Sequence, residues 1–348
     1  MTKVRPRGED IRKYILEHVE SNPAGISKAV SEHFQVTRQA ANKHLQRLTE
    51  EGCLTESGNT RGRIYKIAAI STWFKTYEIS QRPEEHVVWT NDIKPALGHL
   101  PQNAMDIWHY GFTEIFNNAI EHSEGKQIFV AISKSATHAE MSIRDDGVGI
   151  FKKIQTRMNL LDERHAIFEL SKGKLTTDPK HHTGEGIFFT SRAVDAFNIF
   201  AGGVHFNHEY ADPEDWIIAM QDQIAGTMVM LKLHNHGART LTKLFDSFTS
   251  DDADHGFTKT VVPVALATYG NDALISRSQA KRVVARVELF KTVLFNYKNV
   301  PTIGQAFADE IYRVFANAHP EIEIVSIHAS HEVIQMINRA KTANIENQ

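Results

Sequence analysis

The chain has 348 residues, 41% of them hydrophobic and 23% charged, a composition typical of globular proteins and a length that suits two or three domains. Its only cysteine, Cys53, excludes an intrachain disulfide, and no apolar run approaches the roughly 20 residues of a membrane-spanning helix. The opening segment lacks the apolar core of a signal peptide, so the sequence predicts a cytoplasmic protein with no membrane partner.

Charge is distributed unevenly along the chain. The net charge is -3, yet residues 1–70 carry twelve Lys and Arg against eight Asp and Glu. The amino-terminal part is therefore basic while the remainder is acidic. This asymmetry favours a polyanionic partner at the amino-terminal end.

Three helices are predicted in the first 52 residues. Apolar residues keep helical spacing from Ile11 to Val19, and the run ISKAVSEHF forms a second short helix after a break at 22–25. Thr37 is the predicted N-cap of a third helix, which Gly52 ends. Two short helices joined by a tight turn can place the second of them in the major groove of DNA.

The run CLTESGNTRGRIYKI reads as two strands of a basic hairpin. With the preceding run VTRQAANKHLQRLTEEG, it resembles the winged helix-turn-helix of bacterial transcription regulators. Use of such a domain only for protein contacts stays an open alternative. The residues expected to contact DNA are Arg38, Gln39, Asn42 and Lys43 in the groove, and Arg61 and Arg63 on phosphate or in the minor groove.

A helix around Trp108 carries three polar residues at four-residue intervals, Glu114, Asn118 and His122. This spacing places a carboxylate, an amide and an imidazole on one stripe of the helix. An amide oxygen suits Mg²⁺, and the carboxylate can orient or deprotonate a nucleophile. The same pattern is also common on solvated helix faces.

Glycine-rich turns follow at three places downstream. The strand AEMSIRDDGVGI ends with Asp145, Gly147 and Gly149, where a carboxylate can accept a hydrogen bond from a base and bare backbone allows close approach. Gly184 and Gly186 precede a helix whose free amides can hold phosphate. Thr227 opens the apolar strand AGTMVMLKL.

In this order the four motifs resemble the GHKL superfamily of gyrase, large heat-shock chaperones, mismatch-repair ATPases and sensor kinases. The resemblance, over roughly residues 80–235, implies ATP and Mg²⁺ as cofactors and a Bergerat-type α/β sandwich. It implies that Asn118 ligates Mg²⁺, that Glu114 is the base, and that Asp145 binds the adenine amine. The other residues implied in binding are Gly147 and Gly149 at the adenine, Gly184 and Gly186 at the phosphates, Thr227 beside Asp145, and His122. Residues 150–183 would be the ATP lid.

Two departures from the family affect the expected chemistry. The segment STWFKTYEISQRPEEHVVW is too short, and too broken by Pro83, for the histidine-bearing hairpin of sensor kinases, so two-component autophosphorylation is not expected. No run resembles the transducer domain that supplies a catalytic lysine in gyrase. Any activity is therefore expected to be slow ATP hydrolysis or phosphotransfer to a protein hydroxyl.

Beyond residue 258, apolar strands alternate with helices, from VVPVALATY through SQAKRVVARVELF to the closing helix HEVIQMINRA. The pattern predicts a small α/β domain. The run YKNVPTIGQAFADEIYRVF resembles the STAS-like domain of unknown function found after GHKL ATPases. Thr302 is the one hydroxyl where a phosphorylatable STAS antagonist presents serine, so phosphorylation in cis and a plain docking role are both open.

Together these features predict a multidomain α+β protein. The expected domains are 1–70, a winged helix-turn-helix; 71–240, a GHKL ATP-binding domain; and 241–348, a small STAS-like α/β domain. The first hypothesis is a transcriptional regulator in which Mg-ATP controls DNA binding, with a regulatory protein partner at the STAS-like domain and homodimerisation left open. The alternatives are an anti-sigma-type serine/threonine protein kinase and a nucleotide-driven clamp ATPase.

Overall fold

The computed structural model describes residues 6–59, 63–175, 184–211, 215–249, 256–268 and 273–345. Their buried apolar side chains form three clusters, one amino-terminal, one central and one carboxy-terminal. Phe168, Phe188 and Phe189, although central in sequence, belong to the carboxy-terminal cluster. The chain is thus a mixed α+β protein with helices packed on several sheets.

The amino-terminal cluster forms around three helices and a hairpin. These elements are α1 (Pro6–His18), α2 (Ile26–Phe34), α3 (Arg38–Glu50), β1 (Leu54–Ser57) and β2 (Ile64–Ile67). The two strands pair antiparallel. Thr37 caps α3, its Oγ1 accepting a hydrogen bond from Ala40 N at 3.2 Å, as the sequence predicts. Ala41, Leu45 and Leu48 of α3 are buried, which leaves the opposite face of this helix in solvent.

The central cluster lies between a long helix and one face of a five-stranded antiparallel sheet. The sheet order is β3-β4-β5-β7-β6. The strands are β3 (Ala69–Glu78), β4 (Gln127–Ser135), β5 (His138–Asp145), β6 (Ala196–Glu209) and β7 (Asp215–His234), and the helices are α4 (Glu85–Val88), α5 (Lys94–Leu97), α6 (Gln102–His122), α7 (Ile150–Met158), α8 (Glu163–Ser171) and α9 (Gly186–Ala193). Buried residues of α6, among them Trp108, Phe112 and Phe116, pack on the sheet and fix which helix face can line a site.

The carboxy-terminal cluster surrounds a parallel sheet of order β10-β9-β8. The strands are β8 (Lys259–Pro263), β9 (Thr292–Asn296) and β10 (Glu323–Ile327), and the helices are α10 (Leu241–Ser247), α11 (Arg277–Val284), α12 (Gln305–Asp309), α13 (Ala316–Ala318) and α14 (His331–Ile345). A π-helical segment, Glu310–Phe315, joins α12 to α13. The alternation of strands and helices expected from the sequence is present.

Two predicted elements end earlier than the sequence suggests. The strand expected through Tyr269 stops at Pro263 and gives way to a 3₁₀ turn, Val264–Ala267, since proline has no N–H for a sheet ladder. The helix expected through Phe290 stops at Val284, because Arg286 adopts a left-handed φ of 63°. The expected boundary at residue 70 falls inside β3.

The segment expected to be the lid is tied to the carboxy-terminal elements. Lys172 Nζ donates to the carbonyls of Arg282 and Ala285 at 2.8 and 3.0 Å, and Thr260 Oγ1 donates to Lys172 O at 2.6 Å. Arg286 donates to Lys174 O at 2.5 Å. The segment directly after α8 is therefore held, through its side chains and its carbonyls, by residues from α11, from the turn that follows it, and from β8.

The amino-terminal elements meet the central sheet at its rim. Glu20 and Lys232, on β7, form an ion pair of 3.1 Å. One residue, Ala68, separates β2 from β3. The hairpin is thus almost continuous with the edge strand of the sheet.

Candidate functional site

A cavity of about 340 Å³ opens beside α6, between the sheet and the elements α7 to α9. Seven of the nine residues predicted for nucleotide binding line it. They are Glu114, Asn118, His122, Asp145, Gly184, Gly186 and Thr227. These residues come from four separate segments of the chain, so the fold brings together positions that sequence reasoning linked only by their order.

The polar stripe of α6 faces this cavity. Glu114, Asn118 and His122 are half-buried and all three are lining residues. A side chain at Gly186 would collide with the Glu114 carboxylate, so that carboxylate lies against the first turn of α9. The amino-terminal end of a helix carries partial positive charge and favours an anion.

Asp145, 6% exposed, is the buried carboxylate of the site. Its Oδ1 accepts hydrogen bonds from Gly147 N at 2.9 Å and Thr227 N at 3.2 Å. Burial raises the pKa of Asp145 above its ordinary value, although these bonds to Gly147 and Thr227 oppose the shift. Thr227 Oγ1 also accepts from Ile150 N at 3.0 Å, so Thr227 links β7 to Asp145 and to the start of α7.

Gly147 and Gly149 are not among the lining residues of the cavity. A Cβ at Gly147 would overlap the Ser123 carbonyl, and Gly149, at a φ of 85°, packs against Gly226 O. Both glycines therefore serve the close packing of the turn after β5 against its neighbours. Their expected contact with adenine stays a prediction.

Gly184 and Gly186 lie where α9 begins. Gly184 has a φ of 71°, a conformation that favours glycine, and its carbonyl accepts from Leu175 N at 3.1 Å. The N-cap position of α9 has no side-chain cap hydrogen bond. The first turn of α9 lies at the cavity, where Gly186 and Ile187 are lining residues, and the amino-terminal end of this helix favours an anion.

Sequence reasoning missed a cation and most of the apolar wall. Lys153 lines the cavity and its Nζ donates to His122 O at 2.6 Å and Glu124 Oε1 at 2.9 Å. The apolar lining residues are Ile115, Ile143, Ile150, Ile154, Leu170, Leu175, Ile187 and Val229. Helical spacing of Ile150 and Ile154, and alternation of Met141 and Ile143, were the available signals.

Four of the six residues predicted to contact DNA share the solvent face of α3. Arg38, Gln39, Asn42 and Lys43 are exposed, and Asn42 Oδ1 accepts from Ser27 Oγ at 2.6 Å. Arg63 is exposed and pairs with Glu56 at 3.1 Å. Arg61 lies outside the described residues. Thr302 is exposed ahead of α12.

Neither a metal-binding cluster nor a membrane-spanning helix is present in the described ranges. There, no cluster of three or more His, Cys, Asp or Glu side chains could hold a metal ion. Likewise, none of the helices in the described part of the chain is both long and apolar enough to cross a membrane.

Fold and site thus define a mixed α+β protein with a cavity, lined by both polar and apolar side chains, beside a long helix. Residues 279–333 match the family described as the STAS-like domain of unknown function (DUF4325). This match covers α11, β9, α12, α13, β10 and the start of α14, and it confirms the STAS-like character predicted for the carboxy-terminal region. None of the curated proteins compared with the chain matches it significantly.

Proposed function

We propose that the chain binds ATP with Mg²⁺ in the cavity beside α6 and that nucleotide occupancy controls DNA binding by the amino-terminal elements. The observation that carries the proposal is the convergence of Glu114, Asn118, Asp145, Thr227 and the amides of α9 on one cavity. Each is the residue type that one part of a nucleotide requires.

The residues that line the cavity fit ATP with Mg²⁺. Asn118 would offer an amide oxygen to Mg²⁺, which takes hard oxygen ligands and keeps waters and phosphates as its others. Asp145, buried and already bonded to two amides, would accept the exocyclic amine of adenine. The start of α9 would hold phosphate, and Lys153 would add positive charge at the opposite wall. The bound ion would neutralise phosphate charge.

Two connections support coupling to the rest of the chain. Leu170 and Leu175 line the cavity, while Lys172 and Lys174, between them, are bonded to the carboxy-terminal elements. Toward the amino-terminal elements, β7 carries Thr227, which lines the cavity, and Lys232, which forms an ion pair with Glu20. A nucleotide that orders the lid would therefore act on elements that touch both neighbouring regions.

Calorimetric titration of the full chain with Mg²⁺ and a non-hydrolysable ATP analogue tests the site. Loss of a hydrogen bond to a charged group costs about 1.5–3 kcal/mol, so Asp145→Ala and Asn118→Ala should each weaken binding roughly tenfold to a hundredfold. Asn117→Ala, on the same helix but outside the cavity, is the matched control and should bind as the wild type does. Affinity should also fall as the pH is lowered through the raised pKa of Asp145, since the charged carboxylate accepts the hydrogen bond of the amine more strongly than the neutral acid does.

Coupling is tested separately with duplex DNA selected from a random pool. Affinity for the selected site is measured at one salt concentration with the ATP analogue, with ADP and without nucleotide. Three different affinities support control by nucleotide. Identical affinities in a chain that binds the analogue would remove the regulatory part of the proposal and leave the site intact.

A further inference from the structure

A second and larger cavity, of about 730 Å³, lies where the central and carboxy-terminal elements meet. It shares no lining residue with the cavity beside α6. Its walls come from the start of α6, the end of α9, the paired strands β6 and β7, and α10, and its base comes from the parallel sheet. Its volume is within the range of small-molecule sites.

The base of this cavity is the carboxyl edge of all three parallel strands. Pro263 ends β8, Asn296 ends β9 and Ile327 ends β10, and all three are lining residues. His328, the next residue, has a left-handed φ of 53° and its Nδ1 is 2.9 Å from Asn296 Oδ1. Ligands of open parallel sheets bind outside this edge, and strained backbone of this kind is concentrated at functional sites.

Arg192 supplies a half-buried positive charge at the cavity. Its Nη1 donates to Phe188 O and Ser191 Oγ, both at 3.1 Å, and Nη2 donates to Ser171 O at 3.3 Å. The guanidinium also stacks 3.6 Å from the centre of the Phe188 ring. All of these partners are neutral. Burial lowers the pKa of Arg192 to about 10, although the nearby charge of Asp215 opposes the shift.

Two of the three carboxylates that line the cavity, those of Asp195 and Asp215, have other partners, while the third, Glu209, is exposed. Asp195 pairs with Arg239 at 2.9 Å, and Asp215 pairs with His208 at 2.6 Å. Across the described ranges, no carboxylate oxygen forms an ion pair with Arg192 within 4.0 Å. A partly buried charge that lacks an ion-pair partner is costly, and an anion entering the cavity would supply one beside the more distant charge of Asp215.

We propose that this cavity binds a small organic anion, a carboxylate or phosphate monoester attached to an apolar body, with Arg192 as its counter-ion. Asn296 and His328 at the strand ends would contact polar groups of the ligand. The apolar body would pack on side chains that line the walls, which include Ile107, Leu233, Leu244, Phe248 and Val261. This site stands independently of the nucleotide proposal.

The ligand would act at a junction of the fold. Arg192 holds the carbonyl of Ser171, the last residue of α8, and that of Phe188 in α9. Both helices contribute residues to the cavity beside α6. An anion on Arg192 therefore binds a side chain that contacts both of these helices.

The test uses matched probes on the full chain: naphthylacetate, naphthyl phosphate and the neutral naphthylacetamide, titrated by calorimetry. We expect one anion to bind with a stoichiometry of one and at least about tenfold more tightly than the amide, because charge-assisted hydrogen bonds exceed neutral ones. Which anion binds more tightly distinguishes a carboxylate ligand from a phosphate ester.

Two variants and a control locate the binding. Arg192→Met should weaken the anion about tenfold to a hundredfold, and Leu244→Trp, which fills the cavity without touching the charge, should weaken anion and amide alike. Arg144→Met removes an exposed arginine from β5 and should change nothing. Equal affinity for amide and anion, unchanged affinity in Arg192→Met, or no binding by either anion would overturn the proposal.

Discussion

At the scale of single residues, Gly147 illustrates how the turn after β5 positions Asp145. The amide of Gly147 donates to the Asp145 carboxylate, while its α-carbon lies against the Ser123 backbone. A side chain would push these two segments apart. The carboxylate that the proposed function assigns to adenine thus depends on a residue that does not line the cavity.

Gly147→Ala is expected to lower the free energy of unfolding by about 1–3 kcal/mol, the usual cost of overpacking against rigid backbone. Gly237→Ala is the control, because nothing lies within 4 Å of an added Cβ there, and it should change stability by less than about 0.5 kcal/mol. Urea denaturation of both variants measures the difference. Equal free energies of unfolding for the two variants would show that the turn accommodates a side chain at Gly147 without loss of stability.

At the scale of elements, the end of α8 is organised by a buried charge network. Lys172 is 1% exposed and donates to Glu169 at 2.7 Å, and Arg286 binds Glu169 at 3.0 Å. Burial opposes ionisation of Glu169, but bonds from His165 and Lys172 and the charge of Arg286 lower its pKa to about 2. Its stabilising contribution is therefore complete at neutral pH and is lost only as the pH falls toward 2.

Lys172→Met should lower the free energy of unfolding by about 3–5 kcal/mol, because it leaves a buried carboxylate with one partner fewer. The double variant Lys172→Met with Glu169→Leu should recover part of that loss. Lys152→Met, an exposed lysine on α7, is the control. A single variant as stable as the wild type would show that the network does not hold α8 to the carboxy-terminal elements.

Local sequence signals predicted elements that have a cap or a clear period. The second helix, Ile26–Phe34, and the Thr37 cap agree with the sequence because both depend on nearest neighbours. The helices α7 and α8 were missed, since the Lys, His and Thr content of the expected lid masked their helical spacing. The edge strand β3 was also missed. Most of its residues are exposed, and only Tyr77 is buried, so no simple alternation marks it.

The site was predictable as a set of motifs but not as a geometry. The sequence shows the order of the four motifs, which contain Glu114, Asp145, Gly184 and Thr227. The convergence of these residues on one cavity depends on how α6 packs on the sheet. No local sequence pattern indicates the second cavity, because Arg192, Asn296 and His328 are far apart in sequence. Only the fold brings β8, β9 and β10 against α9.

At the scale of the whole molecule, the basic surface lies at one end of the chain. The exposed face of α3 carries Arg38 and Lys43, and its opposite face is buried. The double variant Arg38→Ala with Lys43→Ala should bind DNA more weakly. Each lost phosphate contact should reduce the dependence of log affinity on log salt by about 0.9.

Binding of the double variant to a selected duplex is measured by fluorescence anisotropy across a salt series. Arg144→Ala, which removes an exposed cation from the central sheet, is the control. If the double variant Arg38→Ala with Lys43→Ala binds DNA as tightly as the wild type and the Arg144→Ala control do, the amino-terminal elements have another role. Protein contacts or dimerisation would then be the remaining use of this fold.

The near-continuity of β2 and β3 has a practical consequence for dissecting this protein. A cut at residue 70 would leave Ala69 and Ile70 on the wrong fragment and shorten the outermost strand, which pairs with β4 from Ala69 to Glu78. The exposed edge of β4 would then be open to pairing with other chains. Separate expression of the two parts calls for a division before Ala68, with the whole edge strand kept on the larger piece.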